Sequence, residues 1–113
     1  MSLIIDSKET ESNGVVFYIQ GEIDQHSYET LDEALEKATD DGRCKIHINL
    51  SKVTYISSAG IGVLVGCAGR VANEADGQFE LHCPSPTVMG VLDSMGFSQF
   101  FTIVAAPPQT HAA

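Results

Sequence analysis

Between Cys44 and Leu50 the chain alternates strictly, with Cys44, Ile46, Ile48 and Leu50 apolar and Lys45, His47 and Asn49 polar between them. A period of two is the pattern of a strand with one greasy face and one wet face. Phe79, Leu81 and Cys83 repeat it against Gln78, Glu80 and His82. On both sides of the first of these strands the period becomes helical. From Ser27 to about Asp40, the residues Tyr28, Leu31, Leu35 and Ala38 fall on one face, with Ser27 placed to cap the start and Gly42 to stop the end. Residues 58–75 read as a second helix whose core stripe is Ile61, Leu64, Val65, Ala68, Ala72 and Ala75, with Gly77 beyond its end. Helical crossovers imply right-handed parallel pairings among the later strands. Strands that alternate, instead of running solidly apolar, bury only one face of their sheet.

The flanks complete the pattern. Leu3–Ile5 and Val15–Ile19 read as two strands, and Asn13-Gly14 between them is a tight-turn signal, so they form an antiparallel hairpin at one edge. Ser85-Pro86 is a helix start, Val88, Val91, Leu92 and Met95 form its apolar stripe, and Gly96-Phe97 ends it. Phe100–Val104 is a last strand. The order ββαβαβαβ predicts an α/β fold, a small mixed β-sheet with its helices packed on one face. One domain is expected over residues 1–105, followed by a loose tail over 106–113 that holds two prolines and no periodicity.

Composition limits function. Fifteen acidic against six basic side chains give a net charge of −9. That balance opposes nucleic-acid partners and anionic membrane surfaces, both of which require clustered Lys and Arg. The longest uncharged apolar stretch, Gly60 to Gly69, is far short of the roughly 20 residues needed to span a bilayer. The start Met-Ser-Leu-Ile-Ile-Asp has neither a basic nor an apolar signal region, so no secretory signal is expected. The three cysteines show no C-x-x-C spacing, which points to reduced thiols in a cytoplasmic protein. No two Cys or His residues stand at finger spacing, and no metal site or cofactor is expected.

The segment Tyr55–Gly66, YISSAGIGVLVG, carries the chemistry. Ser57 and Ser58 stand where a strand turns into a helix. One of them can serve as the N-cap, accepting an orphan amide of the first turn. The same amides and the positive end of the helix dipole also make a seat for an anion, including phosphate. Gly60, Gly62, Gly66 and Gly69 crowd the helix at a cost of up to ~1 kcal/mol each relative to alanine. They serve either close packing or a smooth exposed face beside Ser58, to which Val63 and Cys67 add apolar surface. A dinucleotide loop is rejected, because the acidic residue that would follow it, Glu80, falls mid-strand on the wet face. A serine hydrolase is rejected too: Ile56 occupies the place of the first glycine of G-x-S-x-G, and only His26 could approach the serines. The loop Gly21-Glu22-Ile23-Asp24 is expected at the same end of the sheet, either as a plain turn or as carboxylates that meet a basic partner.

The pattern GEID at Gly21–Asp24, the segment INLSKVTYISSAGIGVL at Ile48–Leu64, and the element order over residues 3–105 resemble the STAS domain, most nearly bacterial anti-sigma factor antagonists. The resemblance implies a non-catalytic switch protein. Its partner would be both anti-sigma factor and ATP-dependent serine kinase. The unmodified protein would sequester that partner, phosphorylation would release it, and a metal-dependent serine phosphatase would restore the first state. The family's modified serine falls on Ser58, and the loop acidic residue on Asp24. The implied partner surface comprises Glu22, Asp24, Ser57, Ser58, Ala59, Gly60, Gly62, Val63 and Gly66. Ser57 stands where the family commonly has Asp, which makes it a second candidate for phosphate, and Ala59 replaces a second hydroxyl. Two other readings fit the same residues: a STAS scaffold that works without phosphorylation, and a small-ligand or nucleotide-binding module that uses the helix start as its anion seat.

Overall fold

A computed structural model describes residues 3–105; the expected loose tail, 106–113, lies outside the described residues. Eight elements run β1 (Ile4–Thr10), β2 (Gly14–Ile23), α1 (Tyr28–Asp40), β3 (Lys45–Ile56), α2 (Ser58–Ala72), β4 (Gln78–His82), α3 (Pro86–Ser94) and β5 (Thr102–Val104). The strands form one sheet in sequential order, β1-β2-β3-β4-β5. β1 pairs antiparallel with β2, and every later pair is parallel. The sheet is therefore mixed, as the element order implies. Val15, Phe17 and Ile19 of β2, Ile46, Ile48 and Leu50 of β3, and Leu81 of β4 point to one side. There they meet Leu31 and Leu35 of α1, Ile61, Leu64, Cys67 and Val71 of α2, and Val88 and Leu92 of α3 in a single core cluster.

Helix ends follow their local chemistry. After α1, Gly42 takes φ +92° while the Arg43 N–H donates to Ala38 O at 3.0 Å. After α3, Gly96 takes φ +80° and the Phe97 N–H donates to Leu92 O at 2.8 Å. Both are Schellman stops, in which a left-handed residue lets the chain turn back onto the last carbonyls. Ser85 accepts from the Val88 N–H at 3.3 Å and donates to Val53 O at 2.6 Å, with Pro86 opening α3.

Four expectations need correction. The left-handed pair of the first hairpin is Ser12 and Asn13, one residue earlier than Asn13-Gly14, and Gly14 already pairs with Thr10. Gly21–Ile23 are not loop: β2 continues through them, with Gly21 at φ +118° beside a register shift. β3 likewise runs past Leu50 to Ile56. It carries one extra residue between the Tyr18–Asn49 and Gln20–Lys52 pairs and another between Gly21–Val53 and Glu22–Tyr55. Each bulge turns the strand by one position, so Leu50, Val53 and Ile56 are all buried at a spacing of three. α2 stops at Ala72, short of Ala75.

Candidate functional site

The bulged end of β3 delivers the chain to Ser57. The Ser57 N–H donates to Ile23 O at 2.8 Å, which fastens the start of α2 to the end of β2. Ser57 has extended backbone (φ −92°, ψ 174°), and its hydroxyl accepts from the Gly60 N–H at 3.2 Å. It is the N-cap. Ser58 is the first residue of the helix and is exposed; among the described residues its hydroxyl has no hydrogen-bond partner. One serine thus satisfies the helix, and the other stands free at its positive end. No acidic side chain occupies the first turn.

Gly60 holds this arrangement close to the sheet. A Cβ there would meet Ile23 Cγ2 at 2.6 Å and Ile56 Cγ1 at 2.8 Å. The buried side of the helix comprises Gly60, Ile61, Val63, Leu64, Cys67 and Val71. This corrects three placements. Gly60 and Val63, both expected on the partner surface, are buried, as is Cys67, which was to lend that surface apolar area. Of the expected core stripe, Ile61 and Leu64 are buried, Val65 and Ala68 half-buried, and Ala72 and Ala75 exposed. Burial pushes the Cys67 thiol up to about 11, with Asp32 adding to the shift and Arg70 opposing it. The opposite side of the helix presents Ser58, Gly62, Gly66 and Gly69, all exposed. A Cβ on Gly62 or Gly69 would meet nothing within 4 Å. Packing does not require these glycines.

The loop beyond β2 is organised by Asp24. Its Oδ1 accepts from the His26 N–H at 2.9 Å and the Ser27 N–H at 3.1 Å. These bonds, the His26 amide foremost, hold the carboxyl below the ordinary aspartate value. Ser27 caps nothing with its side chain; its hydroxyl instead donates to Glu22 O at 2.6 Å and accepts from the Asp24 N–H at 3.0 Å. Glu22 and Asp24 are both half-buried, as are Ser57 and Ala59. The parallel pairing of Ile23 with Ile56 brings this loop and the serines to one end of the sheet. His26 is exposed on the loop, and among the described residues no histidine bonds to either serine. An exposed aromatic that the sequence did not single out, Tyr55, stands at the end of β3 just before the serines. Its signal was its place in a bulged strand, which a period-two reading does not resolve.

Residues 5–109 match the model of the STAS domain family. An anti-sigma-B factor antagonist of Listeria monocytogenes is 33% identical over 66 residues, 58% of this chain and 58% of that protein. The chain thus spans under two-thirds of the length of the curated relatives it matches. Among solved structures, the anti-sigma factor antagonist SpoIIAA in its unphosphorylated form superposes with a TM-score of 0.77 at 24% identity, over 89% of this chain and 88% of that one. The Bacillus cell fate determinant SpoIIAA in its phosphorylated form gives 0.70 at 24% identity, over 89% and 91%. At that identity the likeness is one of fold. No helix among the described residues is long and apolar enough to cross a membrane.

Proposed function

The chain belongs to the STAS domain family, and on that premise we propose that it is an anti-sigma factor antagonist-like switch whose modified residue is Ser58. The observation that carries the reading is the division of labour at the start of α2. Ser57 fills the cap, so Ser58 is left exposed and unbonded beside first-turn amides that have no intrahelical partner. The unmodified surface around Ser58, Gly62 and Gly66 is low enough for a partner's backbone to approach closely. Asp24 and Glu22 lie at the same end of the sheet and suit a basic rim on that partner. The partner is a serine-kinase anti-sigma factor, and a metal-dependent serine phosphatase reverses the modification. A phosphate on Ser58 adds roughly −1.5 to −2 charge to a chain already at −9. The helix start accommodates it, so the modification changes the docking surface rather than melting the helix. Docking then fails through repulsion and the cost of burying the phosphate. That one of the solved relatives is described in both a phosphorylated and an unphosphorylated form supports this use of the fold.

Calorimetric titration with the serine-kinase anti-sigma partner tests the surface directly. Ser58→Ala should bind as the wild type does, and Ser58→Glu at least tenfold more weakly. Equal binding by Ser58→Glu would remove Ser58 from the interface.

A further inference from the structure

Two histidines and a glutamate from neighbouring strands converge on the sheet face opposite the core. His47 of β3 lies across from Glu80 of β4, and His82 follows Glu80 by two residues, so the pleat sets all three on one face. Glu80 Oε1 is 2.9 Å from His82 Nε2 and 3.9 Å from His47 Nε2. The two imidazoles stack with centroids 5.0 Å apart. One ligating atom from each residue lies within 4.8 Å of the other two. His82 is buried although its face was expected to be wet, because His47 covers its ring and Glu80 takes its nitrogen. The His47 and Glu80 side chains keep 27% and 28% of their exposure, so the cluster opens to solvent on one side.

The cluster does not satisfy itself. His47 Nε2 is buried without a hydrogen-bond partner, and 3.9 Å to Glu80 is too long to supply one. A buried ring nitrogen aimed at a carboxylate already shared with a second imidazole lacks a ligand that all three could hold.

We propose that His47, Glu80 and His82 form a binding site for a divalent transition-metal ion of the zinc class. Two imidazole nitrogens and one carboxylate oxygen suit zinc and its neighbours, whereas calcium and magnesium take oxygen ligands. Zn–N and Zn–O bonds of about 2.0–2.2 Å put tetrahedral ligands roughly 3.3 Å apart. The two distances to Glu80, 2.9 and 3.9 Å, bracket that value, and the two imidazole ligand atoms, within 4.8 Å of each other, would close on the ion. Three protein ligands leave the fourth position to water. The ion would bind neutral imidazoles, tie β3 to β4, and sit across the sheet from the core side on which α2 packs.

Zn²⁺ and Co²⁺ titrated into the full, untagged chain test the site. The expected result is saturation at one equivalent, with a melting temperature that rises with Zn²⁺ and not with Mg²⁺. Glu80→Gln and His47→Gln, both at partly exposed positions, should weaken binding at least tenfold while leaving the far-UV circular dichroism unchanged. His26→Asn should bind as the wild type does. Nitrogen-15 spectra should show Zn²⁺ shifting the ring signals of His47 and His82 and not of His26. No saturable binding, binding unchanged by the Glu80 and His47 variants, or a thiolate-to-cobalt charge-transfer band assigning the ion to cysteine would each overturn the proposal.

Discussion

Two adjacent serines divide the chemistry of a helix start. Ser57 accepts from the Gly60 amide, a bond an aspartate at that position would also make. The family's usual Asp and this chain's Ser are thus equivalent as caps, though not in charge. Ser57→Ala should lower stability by ~1 kcal/mol and Ser57→Asp should not, as read by urea denaturation. A loss of equal size in both variants would show that the hydroxyl is needed for something other than the cap. Asp24 works the same way in its loop, and its effect depends on pH. Its folded pKa is depressed, so its contribution is present above the unfolded value and is lost as pH falls through the folded one. Asp24→Asn should therefore be less stable than wild type at neutral pH, with the two converging in acid below the ordinary aspartate range. A gap of constant size down to low pH would contradict the assignment.

At the scale of the element, α2 sorts its glycines into two kinds. Gly60 sits against Ile23 and Ile56, while Gly62 faces open space. Gly60→Ala should cost about 1–3 kcal/mol through overpacking. Gly62→Ala should stabilise by about 0.5–1 kcal/mol and yet weaken partner binding, since a methyl group would stand on the proposed docking surface. A more stable Gly62→Ala that binds normally would leave the exposed glycines without a role in docking. The helix itself was legible from its cap, its apolar content and its glycines. Its orientation was legible in part: Ile61 and Leu64 are buried and Gly62, Gly66 and Gly69 exposed, as expected, whereas the close approach at Gly60 that accompanies burial of Val63 and Cys67 has no signal in the apolar period. The strands show the same limit. Alternation marks the first half of β3, but the two bulges that carry it to Ile56 leave no period-two trace, so the burial of Val53 and the exposure of Tyr55 have no signal in the sequence.

At the scale of the molecule, strand–helix alternation implied a mixed sheet with an antiparallel hairpin at one edge, and the pairings bear that out; the strand order itself, β1-β2-β3-β4-β5, comes from the structure. What alternation cannot give is which polar residues on neighbouring strands stand opposite one another. Zinc-finger spacing tests residues close in sequence, whereas His47 meets Glu80 and His82 only through the β3–β4 register. The helix start was legible for the opposite reason, since Ser57 and Ser58 are adjacent and a hydroxyl cap follows from local sequence, as Ser57 shows. In the proposed switch, the acidic chain, at −9, is the background against which a further phosphate would weaken binding. The decisive measurement is phosphate mapping by tandem mass spectrometry after incubating the protein with the proposed serine-kinase anti-sigma partner and ATP. A single phosphate on Ser58, absent from Ser58→Ala, is the predicted result; phosphate on Ser57, or on neither serine, would contradict the account.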